Sequence, residues 1–121
     1  MEFSFKVLII EDNIDIQESL KRALSRLGCK VTAVDTSENA FEELKNTTFD
    51  AIFAELCLKG ESSRSIARWV KTNSPQTKFF VITSWKGLLN LEILNKDGIH
   101  AIIHKPLIFS EIRDKLLEFL G

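Results

Sequence analysis

The side chains best equipped for chemistry in this 121-residue chain are few, and each set follows a short apolar run. Val7-Leu8-Ile9-Ile10 leads into Glu11, Asp12 and Asn13, and Ala51-Ile52-Phe53-Ala54 leads into Glu55. Phe79-Phe80-Val81-Ile82 precedes Thr83 and Ser84, and Ala101-Ile102-Ile103 precedes His104, Lys105 and Pro106. If these runs are neighbouring strands, three carboxylates, two hydroxyls and one ammonium converge on one rim. Three carboxylates at close range repel one another, so Lys105, a divalent cation or raised carboxyl pKa values must relieve them. An all-oxygen acidic site suits Mg²⁺ better than zinc. Any one of these residues alone would pass for a solvated loop charge. Their recurrence at successive run ends would not.

The elements that must position them are legible as alternating patterns. With Val31-Thr32-Ala33-Val34 there are five apolar runs, most of them apolar on both faces, as parallel strands covered by helices on both sides are. Between them apolar residues recur at helical spacing. Ile16, Leu20, Leu24 and Leu27 form one stripe that stops at Gly28, a fitting residue just past a helix end. Ala40, Phe41 and Leu44 form a second, for which Ser37 is the expected N-cap. Ile66 and Val70 mark a third, Leu91, Ile93 and Leu94 a fourth, and Phe109, Ile112, Leu116 and Phe119 a fifth. Five β-α units without a long Pro- or Gly-rich linker predict a single domain over residues 1–121, an α/β three-layer sandwich around one parallel sheet. In such folds ligands sit outside the carboxyl ends of the strands, where the reactive residues lie.

Composition narrows the class. Hydrophobic residues are 45% and charged ones 27%, ordinary for a globular domain, and the net charge of −1 gives no basic footprint for direct nucleic-acid binding. That total hides a division: residues 1–60 carry a balance of −4 and residues 61–121 one of +3. No run is long enough to span a bilayer and the start has no signal-peptide pattern, so no membrane partner and a cytoplasmic location are expected. Cys29 and Cys57 have no framework or CxxC spacing and read as two small buried hydrophobes. There are nine phenylalanines and no tyrosine.

Over essentially its whole length the chain resembles the receiver domain of two-component response regulators. Val7 to Asn13 is similar to that family's first strand with its acidic pair, and Phe49 to Glu55 to its third strand, which normally ends in the phosphoacceptor aspartate. Val81-Ile82-Thr83-Ser84 matches the fourth strand with its hydroxyl residue, and His104-Lys105-Pro106 the lysine-proline pair closing the fifth. The intervals of 43, 28 and 22 residues from Asp12 to Glu55, Thr83 and Lys105 in turn are similar too. The resemblance implies a flavodoxin-like doubly wound (β/α)5 fold with strand order 2-1-3-4-5. It implies that Glu11, Asp12, residue 55 and the backbone carbonyl of Cys57 hold Mg²⁺, that Thr83 bonds a phosphoryl group, and that Lys105 pairs with it. The Lys105-Pro106 bond is then expected to be cis. Implied partners are a sensor histidine kinase or phosphotransfer protein, and a downstream output domain or protein.

Glu55 departs from that pattern. Glutamate carries one more methylene than aspartate, about 1.5 Å of extra reach. A shift on that scale can cost about 10²-fold in an in-line transfer. The longer carboxylate is expected to approach Lys105 and Thr83, standing in for part of a phosphoryl group, although it brings one negative charge where a phosphoryl brings about 1.5 to 2. The residues also keep only glycine of the usual proline-glycine turn, in Leu58-Lys59-Gly60. At Ile102, where the family favours an aromatic switch residue, there is no ring. The expectation is an atypical receiver, not an enzyme, that signals through protein contacts with Mg²⁺ binding weak or absent.

Three other readings stand beside it, the first within the same phosphorelay class. A switchable receiver would use Glu55, native or engineered, in place of aspartate. A small Mg²⁺-dependent phosphohydrolase is disfavoured because no free general acid or second nucleophile is evident and no cap excludes water. A flavin-binding module would need a Gly/Ser/Thr-rich phosphate loop where Glu11 and Asp12 stand. His100 and His104 lie about 13 Å apart on a strand, too far to share a metal. Trp85 is expected to cover the rim, contact a partner or pack locally. Leu88 to Leu94, apolar on more than one face, is expected to bury its outer side against a partner or a second copy, the latter through the fourth helix, fifth strand and fifth helix.

Overall fold

Successive side chains on a strand face opposite ways, so runs apolar at every position must be covered twice. The computed structural model, which describes residues 3–59, 61–85, 87 and 89–121, contains that arrangement. In chain order the elements are β1 (Lys6–Ile10), α1 (Ile14–Arg26), β2 (Lys30–Val34), α2 (Ser37–Asn46), β3 (Ala51–Glu55), β4 (Cys57–Leu58), β5 (Glu61–Ser62), α3 (Arg64–Asn73), β6 (Lys78–Thr83), α4 (Leu91–Lys96), β7 (Ala101–His104) and α5 (Phe109–Leu120). The main sheet is parallel in the order β2-β1-β3-β6-β7, which is 2-1-3-4-5 when its own five strands are counted. β4 and β5 form a separate antiparallel pair. Strands of two residues are too short to leave a periodic signal, which is why the sequence pattern did not reveal them.

Alternation along the strands splits the core into two clusters. Val7 and Ile9 join Phe53, Phe80 and Ile103 beneath Leu20 and Leu24 of α1 and Ile112 and Leu116 of α5. Leu8 and Ile10 join Ile52, Phe79 and Val81 beneath Ala40 of α2, Ile66 and Val70 of α3, and Leu94 of α4. Phe53 and Phe80 meet at 5.0 Å between ring centroids, and Phe80 meets Phe119 of α5 at 5.4 Å. The buried helix faces are those the apolar stripes predict except in α4, where Leu94 is buried but Leu91 and Ile93 are exposed.

Helix ends explain where the elements start and stop. Asn13 caps α1 by accepting the Ile16 N–H at 3.1 Å, and Gly28 beyond its end has φ +93°, a conformation costly for any residue with a Cβ. For α2 the cap is Thr36, not Ser37: Thr36 has extended backbone and accepts the Asn39 N–H at 3.0 Å, whereas Ser37 is the first, buried helical residue. Asn90 caps α4 by accepting the Ile93 N–H, so Leu89 and Asn90 precede the helix, and Leu88 lies outside the described residues.

Candidate functional site at the carboxyl edge of the sheet

The register carries the reactive side chains to one edge. β1 and β3 pair from Val7 with Ala51 to Ile10 with Ala54, and β3 and β6 pair through Glu55 with Ile82. The sequences leaving β1, β3, β6 and β7 there are those singled out above. Backbone bonds extend the ladders past the strand ends: Glu11 N–H to Val34 O at 3.0 Å, Leu56 N–H to Ile82 O at 3.0 Å, and Lys105 N–H to Thr83 O at 2.9 Å. Gln17 on α1 donates to the carbonyls of Glu11 at 2.9 Å and Val34 at 3.3 Å, tying the helix to the ends of two strands. Nothing in the sequence marks Gln17, because a glutamine on a helix reads as solvated until its neighbours are known.

At the centre stands Lys105. Its ammonium donates to Glu55 Oε1 at 2.6 Å and to Glu11 Oε1 at 3.0 Å, and all three side chains are largely shielded from solvent. The other oxygen of each carboxylate is also taken: Glu55 Oε2 accepts its neighbour Leu56 N–H at 2.7 Å, and Glu11 Oε2 accepts Asn13 N–H at 3.1 Å. Burial pushes the Glu11 carboxyl above its ordinary value, against the Asn13 N–H and Lys105, which hold it down. For Lys105 burial works to lower the pKa, but hydrogen bonds to Glu55 and Glu11 and their charges outweigh it, so the ammonium titrates above the usual lysine range. Lys105-Pro106 is a cis peptide.

The remaining residues are less closely gathered. Asp12 is half-buried and, among the described residues, its carboxylate makes no hydrogen bond. Thr83 is buried, and its hydroxyl oxygen accepts the Trp85 N–H at 3.0 Å instead of meeting Glu55. Ser84 is exposed, and so is Trp85, 59% exposed. Ile102 is partly buried against Val81 and the α2–α4 cluster. Cys57 is exposed, not a buried hydrophobe as its small apolar character suggests, because the short β4–β5 pair leaves it on the surface; Cys29 is buried and its thiol is pushed up to about 11. His100 is half-buried before β7, and His104 is exposed at the end of that strand.

The oxygen chemistry of Glu11, Asp12, Glu55 and the Cys57 carbonyl is that of a Mg²⁺ site. Among the described residues no three acidic, histidine or cysteine side chains are placed to hold a metal ion. Both oxygens of Glu11 and both of Glu55 face Lys105 or a backbone N–H instead.

Beside Lys105 a groove runs along α1. Its first section, about 380 Å³, is lined by Ile16, Ser19, Lys105, Pro106 and Leu107. Ser19 and Leu107 also line the next, about 370 Å³, with Arg22, Ala23, Arg26, Phe109 and Ile112. Ile14 and Ile108 stand 63% and 53% exposed on α1 and just before α5. Arg26 lies over the Phe109 ring at 4.4 Å, a cation–π contact. A second cluster, invisible in the sequence, joins α3 to α4: Arg64 and Arg68 meet Asp97 at 2.6 and 3.3 Å. Burial opposes the Asp97 charge, but the two guanidiniums prevail and hold its carboxyl below the ordinary range. Among the described residues no helix is long and apolar enough to cross a membrane.

Known proteins share both the pattern and the shape. A stress response regulator protein 1 from Candida dubliniensis is 27% identical over 111 residues, covering 88% of this chain and 39% of that protein. A response regulator receiver protein from Anaeromyxobacter sp. (strain Fw109-5) is 25% identical, covering 90% of this chain and 46% of that one. The chain thus spans less than half the length of these curated relatives. Among solved structures, a CheY-like receiver domain protein from Methanospirillum hungatei superposes with a TM-score of 0.87 at 22% identity, covering 96% of this chain and 93% of its own. The receiver domain of a sensor histidine kinase from Pseudomonas aeruginosa, solved with magnesium coordinated in its active-site cleft, gives 0.86 at 21% identity, covering 98% and 99%. The response regulator receiver domain model matches residues 7–117, nearly the entire chain. The chain belongs to the response regulator receiver domain family.

Proposed function

We propose that this receiver is atypical: Glu55 occupies the phosphoacceptor position without serving as a conventional acceptor, and the domain acts through protein contacts, not as an enzyme. The observation that carries the reading is the state of the Glu55 carboxylate, which bonds Lys105 with one oxygen and the Leu56 N–H with the other. An attacking carboxylate needs a free oxygen aimed at the phosphorus, and a misplacement of about 1 Å costs about 10²-fold. Glu55 takes up the lysine that a phosphoryl group would otherwise engage. Thr83, bonded to Trp85, is not drawn in, so the imitation covers half of the contacts. Mg²⁺ binds weakly or not at all in this reading, because the oxygens that would ligate it are committed.

A cytoplasmic setting suits a partner drawn from a two-component system, a sensor histidine kinase or phosphotransfer protein on one side and an output domain or protein on the other. The groove between α1 and α5, with its exposed isoleucines and its Arg22 and Arg26 rim, supports an apolar contact edged by acids on the partner. Leu91, Ile93 and Leu117, 41%, 48% and 38% exposed, support a second contact, or self-association, through α4, β7 and α5.

Fluoroberyllate with Mg²⁺ tests the reading, with Trp85 fluorescence as readout in a Trp69→Phe background. The wild-type side chain should leave the signal unchanged, whereas Glu55→Asp, by vacating the space at Lys105, should produce a saturable change. A wild-type response as large as that of Glu55→Asp would sink the proposal.

A further inference from the structure

A hollow lies far from the acidic rim, at the amino edge of the sheet. It has a volume of about 530 Å³, within the range of about 300–1,000 Å³ typical of small-molecule sites. Its walls come from the end of α3, the turn before β6, α4, the turn before β7 and α5. Val70 and Ile99, almost fully buried, and the Phe119 ring make an apolar lining, and no acidic side chain lines it.

Its polar side chains are Lys71, Thr77, Asn95 and His100, and the Thr77 hydroxyl is already engaged by Phe49 O at 2.6 Å and Ser74 Oγ at 2.7 Å. β7 begins only at Ala101, so the N–H of Phe79 on β6 lacks a strand carbonyl at that level. The His100 imidazole supplies the acceptor: Nδ1 takes the Phe79 N–H at 3.0 Å, while the His100 N–H donates to Phe79 O at 2.8 Å. The neutral ring therefore carries its proton on Nε2. Burial, and then the Lys78 charge, push the imidazole below its ordinary pKa, which keeps it in that neutral tautomer at pH 7. Among the described residues Nε2 meets no acceptor, and no buried side-chain polar atom is unpartnered, so Nε2 reaches open space. Lys71 stands at the rim, its ammonium held by the Lys96 carbonyl at 2.8 Å, with two donor hydrogens to spare, and Asn95 adds an amide. Phe119 lies edge-on to the His100 ring at 5.9 Å, which fixes the ring's orientation.

We propose that this hollow binds a small aromatic carboxylate, its ring against Phe119, Val70 and Ile99 and its carboxylate facing Lys71, Asn95 and the His100 Nε2–H. Donor-bearing side chains without a competing acid select the anion, and the apolar lining selects a flat body over acetate. The site stands on residues separate from Glu11, Glu55 and Lys105, so it holds or fails independently of the function proposed for the rim.

Backbone amide NMR of the full chain, titrated with benzoate, benzamide and acetate, tests it. Benzoate should give saturable shifts centred on Lys71, Asn95, Gly98 and His100, with a dissociation constant on the order of 1 mM for so small a ligand. Benzamide and acetate should each bind about tenfold more weakly, and Lys71→Met should weaken benzoate by a similar factor without altering benzamide binding. Absence of saturable shifts up to about 10 mM, equal binding of benzamide, or shifts centred elsewhere would overturn the proposal.

Discussion

At the scale of single residues the site is an ion triad, and its energetics turn on Lys105. Two carboxylates removed from water tolerate each other because one ammonium lies 2.6 and 3.0 Å away, with a backbone N–H on each remaining oxygen. Such a group contributes little or nothing to stability against an apolar replacement of the whole set. Removing one member is costly because it strands charge. Lys105→Met should therefore lower the unfolding free energy by about 3–5 kcal/mol in urea titrations at neutral pH. The deficit should shrink as the pH falls and the stranded carboxyls take up protons, since their folded-state pKa values would then lie above the unfolded ones. A loss that is negligible, or that grows on acidification, would contradict this description of the triad. The members of the triad were legible from residue type and run-end position, and so was the approach of Glu55 to Lys105. The geometry of Thr83 was not, because its hydroxyl bonds a backbone N–H in a loop whose path no local pattern encodes. Cys57 misled for a related reason: its exposure follows from the two-residue strands around it.

At the scale of elements, the β6–β7 junction has a side chain where a parallel ladder would use a carbonyl. His100 Nδ1 can accept the Phe79 N–H only when that nitrogen is unprotonated, so the neutral ring belongs to the folded state. Its pKa is lowered on folding, by burial first and by Lys78 second. The unfolded chain thus takes up the proton first, at its ordinary value of 6.5. This contribution to stability is complete above that value and declines as the pH falls from it toward the lower folded-state pKa. The unfolding free energy of the wild type should drop over that window with a slope of at most one bound proton, and His100→Asn should remove that part of the slope. An unchanged slope in the variant would contradict the assignment. In the sequence His100 stood out only as one of two histidines too far apart to share a metal, since its partner is 21 residues away on another strand. The buried faces of four helices were legible from apolar spacing, and the end of α1 from Gly28. The α2 cap moved by one residue because Thr36 and Ser37 are chemically equivalent there and only the backbone distinguishes them. The Arg64–Asp97–Arg68 cluster is a product of packing between α3 and α4 and had no signature at all.

For the whole molecule, the net charge of −1 conceals a division of charge, with the first half of the chain supplying Glu11, Asp12 and Glu55 and the second supplying Lys105. The fold was legible because five runs apolar on both faces leave few alternatives to a parallel sheet between two helical layers. Strand order came instead from the family resemblance, since pairing between distant strands leaves no local trace. The structure adds that Lys105, Glu11, Glu55 and two backbone donors satisfy one another without a phosphoryl group. The most direct measurement is the intact mass of the wild-type chain after incubation with a small phosphodonor and Mg²⁺. The mass should remain that of the unmodified protein, and a stable phosphoryl adduct mapped to Glu55 would contradict the account.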